Sequence, residues 1–177
     1  MPSETIQPSL IYRSFFLYVE PFCTFAGAYT AFFHQQLYLR LTHSRTAPRG
    51  VPPLSNRIVL NQLANLYMLF AINEALVLRA TNNRNVWRAL IAALLIADIG
   101  HLWSVHPIGS RLYWDVTNWN AIDWGNLGFV YLGALIRISF LLQTSSKSTI
   151  FDELDAEEPQ TPRRSSRKAK PTQKLKD

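Results

Sequence analysis

Two stretches of this sequence leave no face for water to wet. Residues 86–105 and 122–142 are apolar almost all the way round, whereas a helix of a soluble bundle keeps a charged outer face. A soluble four-helix protein that packs such helices against one another is the alternative, and the extra polar residues of the two earlier apolar stretches speak for it. Inverting the polarity accounts for more: polar stripes turn inward and apolar surfaces turn to lipid. The region between them, from Leu94 to Asn126, holds four of the chain's five Trp, together with Tyr113. Trp at the end of an apolar run suits a membrane-water interface, because the indole body lies against hydrocarbon while its N–H reaches headgroups or water. Trp103, Trp114, Trp119 and Trp124 are therefore expected to be interface aromatics, with a lid over a site as the other role open to this loop.

The resulting fold class is all-α, a four-helix transmembrane bundle with a disordered C-terminal tail. Residues 1–9 form a short polar lead, and a membrane domain covers 10–146 with spans near 10–33, 57–79, 86–105 and 122–142. The 24 residues from Leu10 to Phe33 make a helix of about 36 Å, enough to cross about 30 Å of hydrocarbon. Glu4 and the length of this run argue against a cleaved signal, so it reads as an uncleaved first span. Pro21 has no N–H for the carbonyl of Leu17, which predicts a kink and a freed acceptor. Ala26, Gly27 and Ala28 would let a neighbouring helix come close.

Residues 34–56 read as a loop punctuated by Pro48, Gly50, Pro52 and Pro53, with Ser55 or Asn56 capping the second span. In that span Asn61, Gln62, Asn65 and Asn73 fall within an arc of roughly 120° and are expected to turn inward. ATNNRN at 80–85 is a tight turn that makes spans two and three antiparallel neighbours. On the fourth span Asp123, Asn126, Val130 and Arg137 share a side, with Gly128 and Gly133 as small contact positions. Beyond Lys147 lie 13 of the 30 charged residues, an acidic block followed by a basic one, and such a composition cannot support a core. Residues 147–177 accordingly read as a disordered charged tail. The single cysteine, Cys23, leaves no intrachain disulfide and no Cys-based zinc cluster.

Counting depth from the side of the termini puts Glu20 and Asp98 at roughly 15 and 16 Å, with His101 one turn further on and on the same face as Asp98. Unpaired carboxylates at the bilayer midplane are costly. Glu20, Asp98 and His101 are thus candidate catalytic acid/base residues, or else a hydrogen-bonded cluster that ties helices one and three together. Two acids and an imidazole could protonate an olefin or epoxide or move a double bond, with Trp or Tyr faces stabilising a cation. One midplane His is weak ground for a metal, and neither metal nor cofactor is expected. The same count places Arg13, Glu74 and Arg137 about 5–7 Å from the terminus side. They are expected to form a structural ion pair, Glu74 with Arg137, Arg13 or both.

The segments LIYRSFFLYVEP at 10–21, ADIGHLWSVHP at 97–107 and YWDVTNWNAIDWGNLGFVYLGALIR at 113–137 resemble a family of small fungal four-helix membrane proteins known only as a domain of unknown function. The likeness runs over roughly residues 9–142 and implies a fungal source and a membrane location. It brings no established activity, so no catalytic residue follows from it. In architecture alone the chain is also similar to four-helix sterol isomerases and membrane terpene cyclases, none of whose local motifs it matches.

The function expected is that of an integral membrane protein of unassigned activity, binding a lipid or serving as a scaffold for a partner. A membrane isomerase or cyclase acting on a sterol or isoprenoid lipid is the alternative. Its partners would be membrane lipid and, as a second candidate, another membrane protein. No nucleic acid is expected, although RRSSRKAK at 163–170 resembles a nuclear localisation signal. The same block could rest on anionic lipid until Ser165 or Ser166 is phosphorylated. An endomembrane location is expected, the endoplasmic reticulum favoured. An even number of spans puts both termini on one side, read as cytosolic from Arg79, Arg84, Arg88 and the basic tail set against Arg40, Arg45, Arg49, Arg57 and Arg111.

Overall fold

A computed structural model of the chain describes residues 5–157, with side chains through Ser145 and the backbone alone beyond it. Five helices make up the described fold: α1 (residues 10–33), α2 (Gln35–Thr42), α3 (Leu54–Ala80), α4 (Arg84–Ser104) and α5 (residues 121–157). The described residues contain no strand; Thr5 and Asn83 make an isolated bridge, and the N–H of Ile6 donates to the Asn82 carbonyl at 2.8 Å. The lead is therefore tied, from Thr5 onward, to the turn between α3 and α4.

Three helical segments, Leu54–Ala80, Arg84–Ile108 and Ala121–Ser145, are long and apolar enough to cross a membrane. Only 22%, 17% and 22% of their apolar windows are buried, so most of that surface faces outward. Ile96 and Leu135, 71% and 66% exposed, are typical of it. Contiguous apolar surface of this extent would drive association in water, and these helices fit a membrane protein. α1 is nearly as long, but Arg13, Glu20 and Pro21 dilute its apolar character and it is not among the three.

α1 packs most closely on α3. Small residues make that possible: Ala28, Ala31 and Ala64 are buried, and Gly27 lies against the ring of Tyr67, which a Cβ would meet at 3.5 Å. A π-turn widens each of α1, α3 and α5, at Phe15–Val19, Asn73–Val77 and Trp124–Phe129. The first immediately precedes Glu20-Pro21. The Leu17 carbonyl, which Pro21 cannot serve, accepts from Nη2 of Arg79 at 2.7 Å, while that guanidinium also covers the Tyr18 ring at 4.7 Å.

Local chemistry fixes the helix ends. Asn83 caps α4, its Oδ1 accepting from the N–H groups of Asn85 and Val86 at 2.9 and 3.3 Å. Asn120 and Asp123 form a capping box at the start of α5, and Asn120 Nδ2 also donates to the Leu41 carbonyl at 2.9 Å, which ties the end of α2 to α5. Asp123 is thus explained as a cap.

Three expectations need correction. Residues 34–56 are not all loop, because QQLYLRLT coils into α2 and buries Tyr38. α3 begins at Leu54 with Pro53 before it and no side-chain cap from Ser55 or Asn56. Asn61, Gln62 and Asn65 are exposed rather than turned inward, Asn61 accepting from Gln35 Nε2 at 2.7 Å. The backbone of Val130–Glu157 is helical. The remainder of the expected tail, residues 158–177, lies outside the described residues.

Two buried clusters sit at opposite ends of the bundle. Toward the termini, Tyr12, Phe15, Phe16, Leu17, Leu78, Trp87, Ile91 and Phe140 interlock, with Phe16 and Phe140 edge to face at 6.1 Å. At the other end Ala31, Tyr38, Leu60 and Ala64 pack together. Between the two lies the polar centre of the molecule.

Candidate functional site

One arginine gathers the acids of three helices. Arg137 on α5 is 2% exposed. Its Nη1 donates to Asp98 Oδ2 on α4 at 2.6 Å, and its Nη2 donates to Glu20 Oε1 on α1 and reaches Glu74 Oε1 on α3 at 3.5 Å. Glu20 and Glu74 are 6% and 1% exposed. A charge buried this deeply is tolerated only when paired and hydrogen-bonded, and the guanidinium fork supplies several donors from one rigid plane. Gly133, one turn before Arg137, makes room for it: a Cβ there would stand 2.6 Å from Nη1. Both Gly133 and Gly128 accommodate side chains of their own helix, since a Cβ on Gly128 would stand 2.8 Å from the Trp124 ring.

The cluster thus unites Glu20 and Asp98, read as a midplane site, with Glu74 and Arg137, read as a pair nearer the termini. Arg13 is exposed and stands apart from it, because the neighbours Tyr12, Phe15 and Phe16 occupy the inward face of α1. His101 lies one turn beyond Asp98 without joining the ion pairs. It is half-buried against the Asn126 backbone, and its Nε2 has no hydrogen-bond partner. Thr30 and the hydroxyl pair Tyr38–Tyr67, 3.4 Å apart, carry no signal in the sequence that marks them, and Cys23 is marked there only as the single cysteine. Among the described residues, no group of three His, Cys, Asp or Glu is arranged to hold a metal ion.

A cavity of about 540 Å³ opens from this cluster toward the loop end of the bundle. Glu20, Glu74, Asp98 and Arg137 form its floor, and Phe70, Leu94, Ala97, Phe129 and Val130 contribute apolar wall. A second cavity of about 530 Å³ lies beyond it, lined by Thr42, His43, Thr46 and Ser104 among others. Tyr38, Tyr67, His101 and Asn126 border both. Chemically the arrangement offers acid and base groups, charge and an apolar chamber at one place.

The expected interface aromatics gather at that loop end. Trp103, Trp114 and Trp124 are exposed, Trp103 stacking on His106 at 5.2 Å. Trp119 is half-buried, its Nε1 donating to the Leu112 carbonyl at 2.7 Å and its ring edge-on to Trp124 at 5.2 Å. Trp87 is different: it is buried among the aromatics at the terminus end and donates to the Thr81 carbonyl at 2.8 Å.

Fold and site together fit one class, a membrane protein whose apolar helices enclose a buried polar centre. Residues 6–147 match the family described as a domain of unknown function (DUF7704), and the chain belongs to that family. No curated protein and no solved structure matches it.

Proposed function

We propose that this chain is an integral membrane protein that crosses the bilayer four times, α1 included, and holds a lipid-like molecule in the chamber above Arg137. The observation that carries this reading is the cavity itself. Its volume of about 540 Å³ lies within the range of small-molecule sites, and so does its make-up of apolar wall with a few convergent polar groups. In this reading the Trp-rich loop anchors the chamber mouth at the interface, both termini face the cytosol, and the membrane is an endomembrane, foremost the endoplasmic reticulum. The chain is purified in mild detergent from native membranes and its retained lipids are identified by mass spectrometry. A retained species that disappears when the chamber is filled by Ala97→Trp, in a protein that still folds, is the expected result. An identical lipid complement in both would remove the chamber as the binding site.

A second reading is favoured by one particular placement: Asp98 and His101, with its unpartnered Nε2, line the same chamber as Glu20. Those groups could perform acid/base isomerisation or cyclisation of a sterol or isoprenoid. Asp98→Asn preserves shape while removing the acid. If the chain is an enzyme, sterol and isoprenoid profiles of a strain carrying that variant should match those of a deletion strain; unchanged profiles in both leave the binding reading alone.

A further inference from the structure

Resting on the reading of the chamber as a lipid-like site, we propose that its ligand is a cationic amphipath: an aliphatic or isoprenoid body carrying a protonated amine that seats between Glu20 and Glu74. With its three carboxyl groups ionised, the floor carries more negative charge than one guanidinium offsets. Three carboxyl groups converge there, and among the described residues Arg137 is the one cation they bond. The geometry shows where the missing charge belongs. Arg137 engages one oxygen of each carboxyl, while the second oxygens of Glu20 and Glu74 are buried without a hydrogen-bond partner. Both residues line the chamber, and Glu74 is only 1% exposed, so bulk water does not serve that oxygen and an ammonium head reaches it only as the surrounding floor side chains shift.

Ionised carboxylates only accept hydrogen bonds, and their complement is a donor that carries positive charge. An alkylammonium head supplies both in a volume smaller than a second guanidinium. A neutral alcohol would satisfy an oxygen but leave the charge unmatched, and a fatty acid would add a fourth negative group to the floor. A bare divalent cation has no suitable cage, since no metal-holding group of three ligating residues exists among the described residues. The wall decides the remainder of the molecule. Phe70, Leu94, Ala97, Phe129 and Val130 favour an apolar body, whose burial adds to affinity in proportion to the area removed from water.

The test uses the full-length chain in nanodiscs of phosphatidylcholine and three probes with one chain length: octadecylamine, octadecanol and octadecanoate. Octadecylamine should bind more tightly than octadecanol by about tenfold or more, the scale of one well-placed ionic hydrogen bond, and octadecanoate should bind most weakly. Glu74→Gln should abolish most of the preference for the amine, the amine-to-alcohol ratio falling toward one. If that variant does not fold, the amine-to-alcohol ratio in the unaltered chain decides alone. Equal binding of amine and alcohol, or tighter binding of octadecanoate, overturns the cationic head and leaves the lipid chamber standing. No binding of any of the three overturns both.

Discussion

Arg137 is the side chain on which three others depend, so its removal and theirs are not equivalent. Arg137→Gln leaves Glu20, Glu74 and Asp98 facing one another without a cation, and the loss of one partner from a buried ionic cluster is destabilising by about 3–5 kcal/mol. Replacing Glu74 as well, in Arg137→Gln/Glu74→Gln, removes part of that repulsion. Thermal unfolding in detergent should therefore show the double variant more stable than Arg137→Gln alone; additive losses would mean that the two residues do not share a site. At this scale the sequence was partly legible. Glu20 and Asp98 stood out as acids deep in apolar segments, and a simple count of rise per residue gave them a common level. Counting depth from Leu142 puts Arg137 at another level, whereas the helix itself runs on through Gln143, Thr144 and Ser145. Nothing in the local pattern could show that Arg13 faces outward, since the inward side of α1 is chosen by aromatic packing with α5: Tyr12 bonds Ser139 at 2.8 Å and its ring meets Phe140 at 5.3 Å.

Among the elements, the π-turns are what the sequence concealed. Each inserts one extra residue into a helix without changing the face on either side of it, and a pattern search at a fixed period of 3.6 residues registers no such insertion. Deletion of Val19, within the first π-turn, should close that turn to an ordinary α-helix and leave Glu20 directed at Arg137. Deletion of Phe25, in the regular stretch Glu20–Phe33, should turn everything beyond it by about 100° and strip Ala28 and Ala31 from the seam with α3. The expected order of melting temperatures is wild type, then the Val19 deletion, with the Phe25 deletion far below; the reverse order for the two deletions would show that the π-turn is required for the fold. α2 was missed for a different reason. Its eight residues are too few for periodicity to speak, and it is held by contacts across the chain, such as that between Asn120 and Leu41. The long apolar helices were plain because hydropathy alone defines them. The inward turn expected of Asn61, Gln62 and Asn65 failed because angular clustering shows that polar groups share a face, not which way that face points.

Taken whole, the molecule has unlike ends. Interlocked aromatic side chains close the bundle between Arg137 and the termini, while chamber and second cavity lie between Arg137 and the loops. That contrast was invisible in the sequence, because a chamber is space left over when small residues such as Gly27 and Ala97 meet across helices, and no single helix records it. Cys23, the sole cysteine, lines the chamber and reports on access. In sealed vesicles a polar, membrane-impermeant thiol reagent should label Cys23 when supplied on the loop side and leave it unlabelled from the terminus side; equal labelling from both would show that the aromatic end leaks. The shared arginine also has a consequence for how the protein is made. Synthesis delivers Glu20 first, then Glu74, then Asp98, and the cation that reconciles them only with the last crossing. Until Arg137 leaves the ribosome, each earlier helix carries an acid with no mate, a poor passenger for lipid. A chain that stops short of Arg137 would keep all three acids and lose the cation that pairs them.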